Sequence, residues 1–456
     1  MTTNTGLTAA QISTNPFLIR SNTTVGHFID NTKGNFIRTN VESFYVQDDF
    51  RFRKDVQLNV GLRWDYQQLY AAESSYLKLD SFKNNLQPRL GLIWDFTGKG
   101  KGKLFVNYAR FLEAPIPVSL NFFAGGSNAS FGGSALVDRL NAPAGSTVTV
   151  DFGGGGSAAT PVDSDLKPQT VNETAAGMEY EVARDLVLGF RGVYRAQGRV
   201  IEDGSLDEAN TFFLFNPGEG ETERLACASE FGCFGHARRY YRALEFTATK
   251  RFTTNYQFIA SYVYSSLIGN YEGFFLNDRG TVGANFTELF DFQSLMVNEY
   301  GRLPNDRPNQ LKFDGSYRTR WKLLVSGSFR AQSGIPFNAL IPDPVYGNNN
   351  GFAVPRGTAI NPFTGRNRTP TTFNVDLGAY YPIKLSESRQ LRIQVDWFNV
   401  FNNQRAVRQD ETVRINSGGG SRIQAFERIE FPNPFYGQGT IFQYPSSLRL
   451  GIKLQF

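Results

Sequence analysis

Strict alternation of apolar and polar residues organises this chain. From Val56 to Tyr66, the residues Val56, Leu58, Val60, Leu62, Trp64 and Tyr66 share one face of an extended backbone. Gln57, Asn59, Gly61, Arg63 and Asp65 share the other. The same split recurs where Leu391, Ile393, Val395 and Trp397 oppose Arg392, Gln394 and Asp396, and where Leu311, Phe313 and Tyr317 oppose Lys312, Asp314 and Arg318. Side chains of a strand point to opposite faces in turn, so each such segment predicts a strand with one apolar and one polar face. Extended along the chain, the pattern predicts about thirteen strands near 41–53, 55–70, 84–97, 103–113, 170–182, 185–200, 239–252, 255–268, 307–319, 321–332, 371–383, 389–402 and 444–456. Several exceed ten residues, the length that a tilted membrane-crossing strand requires.

The connections fall into two alternating sets. Arg53 to Asp55, Thr97 to Gly102, Ala183 to Asp185, Thr253-Thr254, Thr319-Arg320 and Lys384 to Ser388 are short, whereas 114–169, 201–238, 269–306, 333–370 and 403–443 are long. Antiparallel strands with tight turns at one end and long loops at the other describe a transmembrane antiparallel β-barrel of the outer membrane, with periplasmic turns and extracellular loops. A sandwich or propeller has no reason to place every long loop at one end. In this frame Trp94 and Trp321 fall at the periplasmic ends of strands, and Trp64 and Trp397 toward the external ends, where amphipathic rings form girdles. The glycine clusters at Gly125-Gly126, Gly132-Gly133 and Gly153 to Gly156, with Asn348 to Gly351, read as flexible turn-forming segments of exposed loops.

Composition agrees. The chain has 456 residues, 41% hydrophobic and 20% charged, with 41 Phe, 20 Tyr and 45 Gly. Mean hydropathy is −0.33 and no stretch approaches the roughly eighteen apolar residues of a membrane helix. A barrel tolerates this polarity because only alternate residues meet lipid. A net charge of +5 without basic runs gives no nucleic-acid footprint. The opening residues Met1 to Gly6 show no secretory signal, so an exported protein would have its beginning elsewhere.

The candidate chemistry is sparse. Cys227 and Cys233 lie close together in a loop-like stretch and are expected to form a disulfide in an oxidising compartment, because no His is spaced to complete a metal site with them. His27 and His236 are the only histidines, and neither stands near a Gly-x-Ser-x-Gly elbow. The Gly153 to Gly156 run lacks the Lys-Ser/Thr of a phosphate loop. No catalytic residue, metal site or cofactor is expected. The charges Arg63, Asp65, Lys312, Asp314, Arg318, Arg392 and Asp396 are expected to brace a wet interior through ion pairs, and a substrate path is the second reading of them. The acidic pairs Asp48-Asp49 and Asp163/Asp165 are expected to be solvated.

The last residues place Leu448, Leu450, Ile452, Leu454 and Phe456 on one face and Arg449, Gly451, Lys453 and Gln455 on the other. A terminal aromatic with apolar residues at alternate positions upstream resembles the signal by which the barrel-assembly machinery recognises outer-membrane proteins. The hairpin Val41 to Tyr66, containing Tyr45-Val-Gln-Asp-Asp and Leu58-Asn-Val-Gly-Leu-Arg-Trp, resembles a barrel hairpin of TonB-dependent receptors. Leu86-Gln-Pro-Arg-Leu-Gly, Asn107-Tyr-Ala-Arg-Phe and Asp396-Trp-Phe-Asn-Val-Phe-Asn-Asn extend the likeness, which is closest to the Oar-like branch.

That resemblance implies a barrel of about 22 strands enclosing an N-terminal plug. It also implies a short segment gripped by an inner-membrane TonB-type energy coupler, and a solute of unknown identity. On this reading 1–40 is an N-terminal segment, an incomplete strand or an external loop, and 41–456 is the C-terminal part of the barrel, with roughly nine strands, plug and coupling segment not visible. The expected partners are outer-membrane lipid, the barrel-assembly machinery, the energy coupler and the solute. The expected function is TonB-dependent solute uptake. A non-transporting adhesin or surface-complex subunit, or a passive porin, stands as the alternative.

Overall fold

The alternation read along single strands becomes, across the sheet, an alternation of whole rows. The computed structural model describes residues 26–28, 37–71, 74–113, 132–138, 147–152, 160–206, 212–252, 255–274, 287–342, 350–386, 388–416 and 430–456. Thirteen strands pair in chain order: β1 (Ile37–Arg53), β2 (Val56–Ala71), β3 (Leu86–Trp94), β4 (Gly102–Leu112), β5 (Thr170–Ala183), β6 (Leu186–Arg199), β7 (Arg239–Lys250), β8 (Tyr256–Gly269), β9 (Asn309–Arg318), β10 (Leu324–Gln332), β11 (Thr372–Lys384), β12 (Gln390–Phe398) and β13 (Ser447–Gln455). Two short strands, Ser74–Leu79 and Gly301–Arg302, join β2 and β8 to complete a 15-stranded sheet. From β3 onward the printed pairings are all antiparallel.

Register aligns like with like. Leu104, Met178, Phe190, Phe246, Tyr262, Leu311, Ala331 and Phe373 stand opposite one another in one transverse row from β4 to β11. The neighbouring row is Lys103, Glu179, Gly189, Thr247, Ser261, Lys312, Arg330 and Asn374. A one-residue slip moves a strand's apolar side chains to the second row and its polar ones, among them Lys103, Glu179, Lys312 and Arg330, to the first, so the pattern itself fixes the register. The apolar row is not a core: Met178, Phe190, Phe246 and Leu311 are each about two-fifths exposed. A continuous apolar face of this extent on an exposed sheet is a surface for lipid.

Tight turns end the strands where the sequence supplies the right residues. Asp185 adopts φ 61°, a left-handed conformation that Asp tolerates, and reverses β5 into β6. After β3 the Asp95 carboxylate accepts bonds from the backbone N–H of Thr97, Gly98 and Gly100, so that strand stops at Trp94 instead of running to residue 97. β12 stops at Phe398, four residues short of expectation, because Asn399 and Asn402 take φ of 44° and 49°. Lys322 at φ 69° likewise delays β10 to Leu324. Thr253 and Thr254 lie outside the described residues.

Two compact units make up the chain. Residues 41–66, 79–115 and 162–456 form one, which holds most of the sheet. The other, residues 1–40, 67–78 and 116–161, contains a three-stranded antiparallel sheet of Gly26–Phe28, Gly132–Asp138 and Thr147–Phe152. His27 sits in its first strand and Gly132-Gly133 open the second, so that glycine pair is extended strand and not a loop turn. Gly125, Gly126, Gly153 to Gly156, Asn348 and Asn349 lie outside the described residues.

The long connections of the larger unit carry their own core. Val200, Phe215, Ala226, Phe234, Tyr271, Leu289, Phe290, Leu340 and Phe352, drawn from separate connections, are almost wholly buried together. The helix α1 (Gly220–Ala228) belongs to this region. Asp163 is not solvated, contrary to the sequence expectation, whereas Asp165 beside it is exposed. Asp163 is buried, and its Oδ2 accepts the Thr222 N–H at 2.7 Å, satisfying a free donor in the first turn of α1. Burial pushes the Asp163 carboxyl up, but the bonds from Thr222 and Asp165 outweigh it and hold it below its ordinary range.

Candidate functional site

The polar face of the sheet is knitted by ion pairs between adjacent strands. Glu173 on β5 accepts from Arg195 Nε on β6 at 2.7 Å, and Glu245 on β7 accepts from Arg191 Nε at 2.9 Å. Lys103 on β4 meets Glu179 on β5 at 3.1 Å. Arg330 on β10 forks both oxygens of Asp314 on β9 at 2.9 and 2.7 Å, and Arg449 on β13 holds Asp396 on β12 at 2.7 Å. Exposed pairs of this kind each contribute about 0–1 kcal/mol, so together they steer the register and hydrate the face more than they stabilise it.

The charges singled out in the sequence are distributed as follows. Arg63 pairs with Asp65 at 2.8 Å, and Asp65 also accepts from Gln87 at 2.6 Å. Arg392 and Arg318 lie over the rings of Tyr380 and Phe252, and Lys312 faces Arg330 and Ser261 across the register. They form no single cluster.

Two hollows open on this face. One, of 700 Å³, spans β7 to β12 and is walled by Gly315, Ser316, Ser326, Gly327, Ser328 and Gly378. Where side chains are this short, the wall recedes by the length of the missing atoms. The second, of 530 Å³, lies at the ends of β4 to β8 that carry the long connections. Register places Phe111, Val171 and Gln197 in one row there, and Glu173, Arg195, Tyr241 and Leu267 in the next. Arg239 begins β7 at the same mouth.

This mouth is tied to the core of the connections by Gln169. Its side-chain N–H donates to the Glu113 carboxylate and, at 3.1 Å, to the Tyr271 hydroxyl, and its Oε1 accepts the Ile201 N–H at 3.2 Å. Sequence reasoning missed Glu113, Gln169, Arg239 and Tyr271. They come from four stretches of chain and only the sheet order brings them together. Alternation placed Arg239 and Tyr241 on one face of a strand, which was the only signal available.

Deeper in the connections lies a group of charges. Arg356 is fully buried and paired with Glu272, and burial pushes the guanidinium down to about 9. Asp306 pairs with Arg368, and Asn338 donates to Glu411 at 3.0 Å. Glu202 and Asp203 are also buried in the connections, where Glu202 accepts the Thr287 N–H at 2.7 Å. Burial, with Asp203 as neighbour, drives Glu202 well up, and burial raises Asp203 to about 7.

Cys227, in the last turn of α1 and so not in a loop, is joined to Cys233 with Cα atoms 4.1 Å apart. Glu223 lies within reach of both sulfurs; among the described residues no other group of metal-ligating side chains converges. Leu448, Leu450, Ile452 and Leu454 stand along the exposed face of β13, with Ile452 at 77% exposure and Phe456 at 83% just beyond it.

Long strands with an exposed apolar face, a charge-laced polar face and connections massed at one end define a transmembrane β-barrel of the outer membrane. Comparison makes this specific. The model of the family described as TonB dependent receptor-like, beta-barrel, matches residues 4–402, and this chain belongs to that family of outer-membrane receptors and transporters. It is 30% identical over 466 residues to the TonB-dependent transporter Oar of Myxococcus xanthus, an alignment covering 90% of this chain and 42% of that protein. The chain thus spans less than half the length of that relative.

Among solved structures, the pyoverdine outer-membrane receptor FpvA from Pseudomonas aeruginosa PAO1 bound to pyoverdine is similar with a TM-score of 0.50 at 12% identity, over 92% of this chain and 42% of that one. The FpvAI–pyocin S2 complex gives 0.50 at 13%, over 92% and 39%. At these identities the likeness speaks for the fold alone.

Proposed function

We propose that this chain is the C-terminal part of an outer-membrane receptor barrel that takes up a solute by energised, TonB-dependent transport. Residues 41–456 supply barrel wall and external connections, and residues 1–40 lead into it. The remaining strands, the plug and the segment gripped by the inner-membrane coupler would belong to a longer protein. The observation that carries the reading is the polar face, locked by register and opening at its outer end into a 530 Å³ cavity beneath a packed cap of connections. Such a surface captures a solute at the mouth and offers it a hydrated wall to travel along. Leu448, Leu450, Ile452, Leu454 and Phe456 would present the assembly signal to the barrel-assembly machinery, which captures an unpaired strand by edge pairing.

The test is uptake of a panel of labelled solutes by the native host, by a strain lacking this gene and by one lacking the energy coupler. Energised transport predicts that both deletions abolish uptake of the same solute. Uptake that survives loss of the coupler would make the protein a porin, and uptake unchanged by loss of the gene would leave it an adhesin or surface-complex subunit.

A further inference from the structure

The mouth between β4 and β8 holds four formal charges, and among the described residues one of them lacks a partner. Glu173 is held by Arg195 at 2.7 Å, and Glu113 accepts from the amides of Gln169 and Gln197. The guanidinium of Arg239 has no hydrogen-bond or ion-pair partner among the described residues, although it is half-buried and lines the cavity. Its electrostatic neighbours are Tyr271, Glu113 and Arg195.

Arg keeps its charge at neutral pH even when largely buried, and its planar fork of donors matches a carboxylate in two parallel bonds. Withdrawing that group from water without a partner is unfavourable, and no described residue supplies one, so its donors stand open to a ligand at the mouth. Gly273, at φ 102°, leaves one side of the fork open, since a side chain there would come within 3.4 Å of Nη1. Around the guanidinium the walls divide by kind. Gln197, Tyr241 and Asn305 supply polar atoms, and Phe111, Val171 and Leu267 supply apolar surface. The two carboxylates and two guanidiniums cancel formally, which favours a single negative charge over a dianion.

Resting on the reading that solute is captured at this mouth, we infer that Arg239 anchors a subsite for a monocarboxylate carried on an apolar body. The carboxylate lies in the fork of Arg239, and the body packs on Phe111, Val171 and Leu267.

Benzoate is the probe, benzyl alcohol its neutral counterpart and inorganic phosphate the competing anion, each titrated into the full-length protein purified in detergent. Benzoate is expected to bind at least tenfold more tightly than either. Arg239→Gln should lower benzoate affinity about tenfold, to the level of benzyl alcohol, and Arg239→Lys should restore part of it. Heat-modifiable migration on a denaturing gel confirms that each variant is folded. The comparison of benzoate with benzyl alcohol needs no variant, so it stands even where one fails to fold.

Equal binding of benzoate and benzyl alcohol, tighter binding of phosphate, no binding of benzoate, or an Arg239→Gln protein that binds benzoate unchanged would each overturn the assignment. If coupler-dependent uptake holds while these measurements fail, the carboxylate is wrong and transport stands. If uptake fails while Arg239-dependent binding holds, the subsite stands on a barrel that does not transport.

Discussion

At the scale of single residues, the chemistry lies in what the connections bury. A fully buried Arg356 beside Glu272 is costly to desolvate, and its worth is geometric: removing one partner strands the other charge, which typically costs about 3–5 kcal/mol. Asp203 gives the clearest consequence. Its folded pKa of about 7 lies above that of an unfolded Asp, so between about pH 4 and pH 7 the folded state binds more protons than the unfolded one. Stability contributed by this group is therefore present at low pH and declines as pH rises toward 7, by an amount on the order of a few kcal/mol. Glu202, raised in the same direction, adds to the trend. Hydrogen exchange in the hairpin of Glu202–Ser205 and Phe212–Phe215, corrected for intrinsic rates, should be slower at pH 5 than at pH 8, and Asp203→Asn should flatten the difference. Equal protection at both pH values in the unaltered protein would show that the carboxyl titrates normally. None of this was legible in the sequence, where Glu202-Asp203 follows the end of a strand like any solvated pair.

At the scale of elements, strands were legible and the connections were not. All thirteen strands of the main path fall where alternation placed them, because a lipid-facing row and a water-facing row impose opposite chemistry on neighbouring residues. Strand ends missed by several residues where an Asn, a Lys or an Asx turn took a left-handed or hydrogen-bonded conformation that alternation does not encode, as at Asn399, Lys322 and Asp95. The helix α1 was invisible because its nine residues carry little apolar periodicity and its first turn is satisfied by Asp163, 59 positions upstream. The covalent link Cys227–Cys233 fastens the end of that helix to the segment that follows. Closing so short a loop stabilises by about 2–3 kcal/mol in the chain-entropy account, and the benefit is local. The unreduced protein should therefore show no thiol to alkylating reagents after unfolding. Replacing both residues by Ser should increase proteolysis within 220–238 severalfold and leave heat-modifiable migration of the barrel intact. Two reactive thiols per chain without reductant would rule the bond out.

At the scale of the whole molecule, the decisive fact is that the sheet, as its described residues form it, has two edges. Among the described residues β1, of 17 residues, pairs only with β2, and β13, of nine, pairs only with β12. In water an unpaired strand risks aggregation, and in lipid each unsatisfied backbone group costs several kcal/mol, so only a closed barrel spans a membrane. The apolar rows commit this sheet to lipid, and the edges must therefore be paired there by strands of a longer protein or by each other. The first alternative fits a relative of which this chain covers 42%. It predicts that residues 1–456 expressed alone with an export signal reach the outer membrane poorly and migrate identically with and without boiling. The full-length protein should show the faster folded form before boiling. On the proposed reading of β13 and Phe456 as an assembly signal, loss of Phe456 from the full-length protein should reduce that folded form severalfold. A boiling-sensitive shift from the 456-residue chain by itself would mean that β1 and β13 zip together into a smaller closed barrel. The polar face would then line a narrower lumen, and the room that energised transport assigns to a plug would have to be found elsewhere.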